Sequence, residues 1–225
     1  HTRSVSAFLL NCSSDLLVLS ANDTMQMVIQ PVNFERIPQP VPLHVMVMRL
    51  QSPDVYKIPV LDQEPKHWNP LYSEEEYARQ FPYLTWNIKA NQRKYWPVVD
   101  TVFVTERLFA PDSLLLIDAR QWKTGDYCLY VEGIDKHGDT VSETRFFTVN
   151  NSSSTQFNAF MPIRAAFIDL PAKKGEKVSF SVGTCLTDAV TICDVYQGNK
   201  RLKTIRVPLN HEQKVVTVKT RKGGD

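Results

Sequence analysis

A β-hairpin signature between Asp126 and Val149 is the feature that most limits how this chain can fold. Asp126–Asp135 has the pattern of one strand, Lys136–Asp139 that of the turn, and Thr140–Val149 that of the returning strand. Both faces of the first arm carry apolar residues, so the pattern leaves open which face is buried. The hairpin predicts an antiparallel sheet.

Strand patterns recur on both sides of the hairpin. They lie at Thr24–Gln30, Leu43–Leu50, Thr101–Leu108, Phe157–Phe167, Lys177–Val182, Ala189–Tyr196, Arg201–Val207 and Gln213–Lys219. Short strands separated by turns favour a β-sandwich. The 225 residues are enough for one large or two smaller domains, and the 43% hydrophobic content is that of a globular protein. We therefore predict an all-β fold of tandem immunoglobulin- or fibronectin-III-like β-sandwiches.

A polar, low-complexity linker at Asn150–Thr155 predicts a domain boundary. We expect the first domain at residues 1–150 and the second at residues 156–225. The second unit holds about five predicted strands against roughly seven in a complete sandwich, so it is predicted to be incomplete at its C-terminal end. The chain starts at His1 without an initiator methionine, and we expect a mature chain or an excised piece of a longer one.

An aromatic-rich insertion at about residues 62–98 interrupts the strand pattern of the first domain. Within it, Ser73–Phe81 predicts a short helix, because Ser73 and Glu76 have the spacing of a capping box and Pro82 ends the pattern. The aromatic rings either dock the insertion on the sandwich or contact a sugar, peptide or protein partner. The candidate contact residues are Trp68, Trp86 and Trp96.

The four cysteines leave two alternatives open. Cys185 and Cys193 flank seven residues and are a candidate disulfide between neighbouring strand ends. The alternative is buried free thiols, since cysteine is among the most buried residue types. No CxxC motif or zinc-ligand spacing occurs. We therefore expect no metal and no cofactor.

Charge is unevenly distributed along the chain. The net charge of +2 argues against a strongly cationic nucleic-acid binder, so no nucleic-acid partner is expected. Residues 200–225 carry +6 and the remainder −4. This basic stretch is either a solvated strand face or a patch for a polyanion or a protein partner. No apolar run of 18 residues occurs, so we expect no membrane span.

Motifs for catalysis are missing from the sequence. The five histidines fall in different predicted elements without an HExxH pair, and no GxSxG elbow occurs. No segment singles out paired carboxylates for glycoside cleavage. We therefore predict that the protein is not an enzyme.

Three ordered segments carry a family resemblance that covers the chain from about residue 49 to its end. They are Trp68-Asn-Pro70 with LYSEEEYARQFPYLTW, then KTGDYCLYVEGIDKHGDTVSETRFFTV, then LPAKKGEKVSFSVGT. Together they resemble the middle region of large bacterial alpha-2-macroglobulin family proteins, especially the type found in Bacteroidetes. One departure is Lys174-Gly-Glu176, where the family has proline before the glycine.

The resemblance implies two macroglobulin-like sandwiches from the shell of a larger protease trap. In such traps a protease cleaves a bait segment and the molecule closes around it. Some members also attach the protease through a thioester formed at Cys-x-Glu-Gln, a motif that none of the four cysteines begins here. The implied partners are other domains of the same parent chain and, through the full-length protein, target proteases. The implied location is the periplasm or the outer membrane.

A second hypothesis is an extracytoplasmic glycan- or protein-binding module that uses the aromatic insertion. It predicts that two or three of Trp68, Trp86 and Trp96 are exposed and coplanar. The scaffold hypothesis predicts instead that these rings are buried. A hydrolase is a third and weaker hypothesis, since it needs clustered carboxylates or histidines in a cleft.

Overall fold

A computed structural model describes residues 7–12, 18–20, 24–33, 35–58, 72–86, 88–110, 113–134, 138–150, 154–168, 175, 177–197 and 199–219. The chain divides into two compact units. Unit 1 comprises His1–Ser52 and Trp96–Asn151, and unit 2 comprises Pro53–Tyr95 and Ser152–Asp225. The aromatic-rich insertion thus falls mainly in unit 2, whereas the sequence analysis placed it in the first domain. The domain limits 1–150 and 156–225 stay a prediction.

The strands of unit 1 form two sheets. They are β1 (Ala7–Cys12), β2 (Val18–Ser20), β3 (Thr24–Val32), β4 (Val41–Leu50), β5 (Val98–Phe109), β6 (Ser113–Asp118), β7 (Gly125–Ile134) and β8 (Thr140–Asn150). One sheet has the order β2-β8-β7-β4-β5 and the other the order β1-β3-β6. The β2–β8 pair is parallel, and the other neighbours are antiparallel.

The inward faces of these sheets enclose one hydrophobic core. Alternate residues of β4, namely Leu43, Val45 and Val47, are fully buried, because successive side chains of a strand point to opposite faces and one face meets the core. Val45 lies directly opposite Val131 on β7, and Val47 lies opposite Leu129. The two alternating patterns therefore share one face, which settles the buried face of the hairpin. Each such side chain contributes roughly 1.5–3 kcal/mol by leaving water.

Unit 2 combines a short helix with five described strands. The helix α1 (Glu74–Gln80) is followed by two turns of 3-10 helix at Ile88–Asn91 and Arg93–Tyr95. The strands are β9 (Arg164–Phe167), β10 (Lys177–Gly183), β11 (Ala189–Gln197), β12 (Lys200–Leu209) and β13 (Gln213–Lys219). They form a three-stranded sheet of order β13-β10-β9 and a two-stranded sheet of β11 and β12, all antiparallel.

Most of the buried apolar residues described in unit 2 fall into two small clusters. Val182, Val207 and Leu209 meet between the two sheets. Phe157, Ala159 and Cys185 form the other cluster. Gly183 permits this second cluster, because a Cβ atom there would lie 2.7 Å from Cε2 of the Phe157 ring. The backbone of β10 therefore approaches the aromatic ring more closely than any other residue allows.

The structure confirms the all-β prediction, with one short α-helix among several sheets. The predicted strand Phe157–Phe167 is wrong over most of its length, since the structure has a strand only at Arg164–Phe167. The preceding residues turn instead, with the Met161 amide donating to the Ala159 carbonyl at 2.9 Å. Pro162 has no amide hydrogen to offer a sheet. Both features end strand pairing there.

Candidate functional site

The helix of the aromatic-rich segment begins as the sequence predicts. The Ser73 hydroxyl accepts from the Glu76 amide at 3.2 Å, and the Glu76 carboxylate accepts from the Ser73 amide at 2.9 Å. This capping box satisfies two backbone donors at the helix start. The hydrogen bonds from Ser73 also lower the pKa of Glu76. At the other end the Phe81 amide donates to the Tyr77 carbonyl, and Pro82 follows.

The aromatic rings near the helix pack on one another rather than forming a flat strip. The Tyr77 ring is buried, with its centroid 5.0 Å from that of Phe81 and 5.1 Å from that of Trp86. The Trp86 ring meets Tyr77 edge-on at 61° and is half-buried. Such tilted and edge-on contacts are the favoured geometries of ring pairs in a core.

The predicted contact residues have different surroundings. Trp96 belongs to unit 1 and is only 7% exposed, so its ring is not available to a ligand. Trp86 lies against Tyr77 in unit 2, and Trp68 lies outside the described residues. Of the two described candidates, Trp96 is therefore buried and Trp86 is half-buried.

The most exposed rings among the described residues of this segment are tyrosines, which the sequence analysis did not select. Tyr83 is 77% exposed and Tyr95 is 47% exposed. Two lysines lie over the Tyr95 ring, with Nζ of Lys94 at 4.9 Å and Nζ of Lys89 at 5.5 Å from its centroid. The spacing of lysines one and six residues before Tyr95 is the only sequence signal for this arrangement. A cationic aromatic surface of this kind suits an anionic or carbonyl-rich partner.

Tyr127 of unit 1 is held by a hydrogen bond and by ring contacts. Its hydroxyl donates to the Lys123 carbonyl at 2.5 Å, four residues upstream, as in the tyrosine corner of β-sandwiches. The ring stacks against both Trp122 and Phe147, with centroid distances of 5.3 Å and 5.7 Å. Burial raises the pKa of Tyr127 to about 12. The group therefore acts as a neutral structural anchor and not as an acid or base.

Asp126 supports the same corner. Its side chain is buried, and one carboxylate oxygen accepts from the Thr148 hydroxyl at 2.8 Å. This bond joins β7 to β8 inside the protein. A buried carboxylate with a hydroxyl donor is stabilised in place, so the Gly-Asp-Tyr sequence at residues 125–127 is a structural motif.

Of the two alternatives left open for the cysteines, the structure has the thiol form, because Cys185 and Cys193 are not joined by a disulfide. Cys185 packs in the cluster of Phe157 and Ala159, whereas Cys193 packs against the cluster of Val182 between the sheets. The two side chains therefore point into different clusters. Burial and the neighbouring Asp194 raise the pKa of Cys193, so this thiol is a poor nucleophile. Cys128 is also free and buried, and burial raises its pKa.

Histidines and carboxylates stay dispersed in the part of the chain that the structure describes. His44 Nδ1 lies 4.0 Å from a carboxylate oxygen of Glu106, its cross-strand neighbour on the exposed face of the sheet. Within the described ranges, no three His, Cys, Asp or Glu side chains gather as a metal-binding group. No helix of the described ranges is long and apolar enough to cross a membrane.

The basic stretch of the sequence falls largely on two strands. β12 and β13 carry their cations at exposed positions, and these are Lys200, Arg201, Lys203, Arg206, Lys214 and Lys219. Two ion pairs offset them in part. Arg201 lies 3.8 Å from Asp194, and Lys214 lies 2.9 Å from Glu212. An excess of positive charge therefore remains on these strands.

Together these features define the class of protein. It is an all-β protein in which the buried polar side chains of Asp126 and Tyr127 stabilise the fold. No protein-family model and no curated protein matches the chain. Among solved structures, it is similar to native Escherichia coli alpha-2-macroglobulin, with 10% identity and a TM-score of 0.36 over 96% of this chain and 15% of that one. Elastase-activated E. coli alpha-2-macroglobulin gives 11% identity and a TM-score of 0.36 over 96% of this chain and 20% of that one.

Salmonella alpha-2-macroglobulin reacted with methylamine is also similar. It gives 10% identity and a TM-score of 0.32 over 96% of this chain and 14% of that one. The present chain thus spans between 14% and 20% of the length of these three solved chains.

Proposed function

We propose that the chain is a structural β-sandwich fragment of a large bacterial alpha-2-macroglobulin-like protease-trapping inhibitor, of the Bacteroidetes type, with no catalytic activity of its own. The observation that carries the proposal is the family-like segment Lys123–Val149. Its residues form β7 and most of β8, and they supply Tyr127, Leu129 and Phe147 to the core of unit 1. This segment serves to hold a sandwich together, which suits a shell piece.

The partners follow from the same proposal. The fragment contacts other domains of its parent chain, and target proteases meet it through the full-length protein. Its place is outside the cytoplasm, in the periplasm or at the outer membrane, where a trap meets foreign proteases. Neither nucleic acid nor a membrane span is part of this role.

The test uses the full-length parent chain with a substoichiometric protease. We expect cleavage of a large protein substrate to fall while cleavage of a small peptide substrate continues, because a caged protease admits only small substrates. Equal cleavage of both substrates, at the rate of the protease alone, contradicts the trap. A pair of variants locates the role of this fragment. Tyr127→Ala, in the core, should weaken protection, whereas Tyr83→Ala, at a 77% exposed ring, should not.

The exposed tyrosines favour a second candidate function, an extracytoplasmic glycan- or protein-binding module. Tyr83 and Tyr95 offer open rings, and two lysines lie over Tyr95. Acrylamide quenching of tryptophan and tyrosine fluorescence, with and without a panel of acidic oligosaccharides, tests this candidate. The candidate is supported if an oligosaccharide reduces acrylamide quenching and Tyr95→Ala abolishes this reduction. Unchanged quenching across the panel leaves the scaffold proposal as the better account.

A further inference from the structure

Two methionines lie on the outer face of the five-stranded sheet in unit 1. Leu43, Val45 and Val47 of β4 point into the core, so the alternate residues Met46 and Met48 point to the other face. Both methionines are half-buried. Such a face of an antiparallel sheet usually carries polar side chains. The packing of the core therefore does not account for two thioethers at these positions.

A cysteine lies directly opposite one of these methionines. In the register of β4 with β7, Cys128 pairs with Met48. Cys128 belongs to the outer face of β7, since Tyr127 and Leu129 on either side of it are part of the core. Opposite residues have Cβ atoms about 4.5–5.5 Å apart, and diagonal neighbours are about 7–8 Å apart. The Cys128 thiol is therefore adjacent to Met48 and diagonal to Met46.

These separations suit the binding of one ion by all three sulfur atoms. Met46 and Met48, two residues apart on one strand, are separated by about 6.6–6.8 Å. Sulfur ligands bind a metal at about 2.3 Å, so three sulfurs around one ion lie about 4 Å from one another. Methionine is unbranched and has three rotatable bonds. Rotation of the two methionine side chains can therefore bring their sulfur atoms to the ion beside Cys128.

The pairing of β4 with its other neighbour is irregular at the same place. Val47 pairs with Phe103 of β5 but Met48 pairs with Thr101, so β5 has one extra residue here. Bulges of this kind re-aim side chains and are frequent next to functional sites. The register of β4 with β7 carries no such shift, and it keeps Met48 aligned with Cys128.

The chemistry of these side chains indicates the kind of ion. Thioether and thiolate sulfurs are soft ligands that suit Cu(I). Zinc is held instead by thiolate, imidazole and carboxylate groups. The imidazole on this face, that of His44, lies beside Glu106 of β5, with Nδ1 4.0 Å from a carboxylate oxygen. The sequence analysis expected no metal because it considered the spacing of cysteines alone. Only the sheet brings Cys128 next to a Met-x-Met strand.

We propose that Met46, Met48 and Cys128 bind one Cu(I) ion on the outer face of the five-stranded sheet. The thiol of Cys128 gives its proton to water, and the resulting thiolate forms a bond to Cu(I) without electron transfer. The thiolate and the cation neutralise each other, which lowers the cost of placing charge at a buried position. The inference goes beyond the proposed function, since it holds whether or not the parent chain traps proteases.

The test uses the 225-residue chain, kept reduced and free of oxygen. Cu(I) is supplied as its coloured complex with bicinchoninate, and we expect the protein to withdraw one ion per chain with loss of the colour. NMR of ¹³C-labelled methionine methyl groups, of which the chain has five, shows which thioethers are involved. Two signals should move on binding, and each should be assigned by its loss in Met46→Leu or Met48→Leu.

Three variants locate the site. Met48→Leu and Cys128→Ala should each weaken binding by about tenfold or more, because even the loss of a group that only orients a metal ligand costs about 10–100-fold. Met48→Leu nearly conserves volume, so it tests the proposal even if Cys128→Ala fails to fold. Cys185→Ala is the matched control, since Cys185 is also a buried free thiol with a methionine, Met161, in its cluster. Binding should be unchanged in this variant, and circular dichroism checks the folding of all three.

Three results overturn the proposal. The first is that no Cu(I) passes from bicinchoninate to the protein, and the second is uptake that neither Met48→Leu nor Cys128→Ala weakens. The third is a shift of the Met161 methyl signal together with loss of uptake in Cys185→Ala, because the ion then lies in unit 2. None of these results bears on the protease assay, so the failure of either proposal can be recognised separately.

Discussion

Among the described residues, most buried apolar side chains of unit 1 form one large cluster, whereas those of unit 2 fall mostly into two small ones. Thirteen buried residues from strands of both sheets form the cluster of unit 1, against three in each cluster of unit 2 among the described residues. The five-stranded sheet of unit 1 has strands enough to cover its partner sheet. The two-stranded sheet of unit 2 leaves part of its partner exposed. The number of facing strands, more than composition, therefore decides how much of a sandwich is buried.

The sheet edges of the two units also differ in how well their apolar side chains are covered. In unit 1, Nη2 of Arg107 on β5 donates to the Leu114 carbonyl of β6 at 3.2 Å, and Cζ of Arg107 lies 4.8 Å from the centroid of the Phe109 ring. A charged side chain turned inward at a sheet edge blocks further pairing. In unit 2, Phe167 of β9 is left exposed at the corresponding kind of edge. At this edge Arg107 thus covers part of the inner face of unit 1, whereas unit 2 leaves an aromatic ring exposed.

The largest expected effect is that of Tyr127→Ala in unit 1. The substitution removes a fully buried ring from the stack with Trp122 and Phe147, together with its hydroxyl bond. Truncating a buried aromatic side chain costs about 3–5 kcal/mol. The free energy of unfolding, from urea denaturation followed by circular dichroism, measures this loss.

Phe180→Ala tests whether the core of unit 2 is less completely buried than that of unit 1. The Phe180 ring is half-buried, because the cover over it is incomplete. We expect a smaller loss than for Tyr127→Ala. A loss as large as that of Tyr127→Ala would show that unit 2 is as closed as unit 1.

Alkaline pH provides a second probe of the closed core. Burial raises the pKa of Tyr127 from 10.0 to about 12 in the folded protein, and the Asp100 carboxylate adds to the rise against the opposing effect of Arg49. The unfolded chain releases this proton near pH 10, whereas the folded protein retains it to about pH 12. The stability that Tyr127 contributes is therefore complete below pH 10 and falls as the pH rises toward 12.

Tyrosinate absorbance and urea midpoints between pH 9 and 12 measure this dependence. Tyr127→Phe is the matched variant, because it keeps the ring and removes the ionisable hydroxyl. Its stability should fall less steeply over this interval than that of the native protein. Identical pH profiles would assign the alkaline loss to other groups.

Gly183→Ala tests the close approach on which unit 2 depends. The added methyl group would lie 2.7 Å from Cε2 of Phe157 and 3.0 Å from Cβ of Gln213. Overpacking of this kind costs about 1–3 kcal/mol. The same urea denaturation measures it, with hydrogen exchange to show that the loss is in unit 2.

A double variant decides whether the ring is the cause. Gly183→Ala combined with Phe157→Leu should recover part of the loss, because leucine leaves room at the position of the ring edge. If the two substitutions are simply additive, the Phe157 ring is not the cause of the loss, and the contact with Gln213 is the remaining one.

Local sequence patterns predicted the elements that depend mainly on contacts between residues close together in the sequence. The alternation of β4, the hairpin of β7 and β8, and the capping box of α1 were readable because neighbouring residues decide them. β6 was missed, since Leu114–Leu116 shows no alternation although only Leu115 is buried. Its pairing with β3 is a contact between residues far apart in the sequence.

The candidate site depended on such distant contacts, and the sequence predicted little of it. The exposure of a ring depends on which other residues cover it. Composition therefore could not show that Trp96 is buried and Tyr83 is exposed. Cys185 and Cys193 are close in sequence, but the end of β10 and the middle of β11 turn them toward different clusters. Spacing alone could not show that difference.

The smallest effect is expected at the helix cap of unit 2. Ser73→Ala removes the hydroxyl that accepts from the Glu76 amide, and loss of such a cap costs about 1 kcal/mol. Ser73→Asp keeps an acceptor in the same place and should retain most of the stability. The helix is only seven residues long, so a lost cap exposes the whole of it to opening. Hydrogen exchange of the Tyr77 amide, which donates to the Ser73 carbonyl, should quicken in Ser73→Ala while the amides of β7 keep their rates. Equal acceleration in β7 would mean that the two units open together, and the contrast between a closed and an open unit would then not extend to their stability.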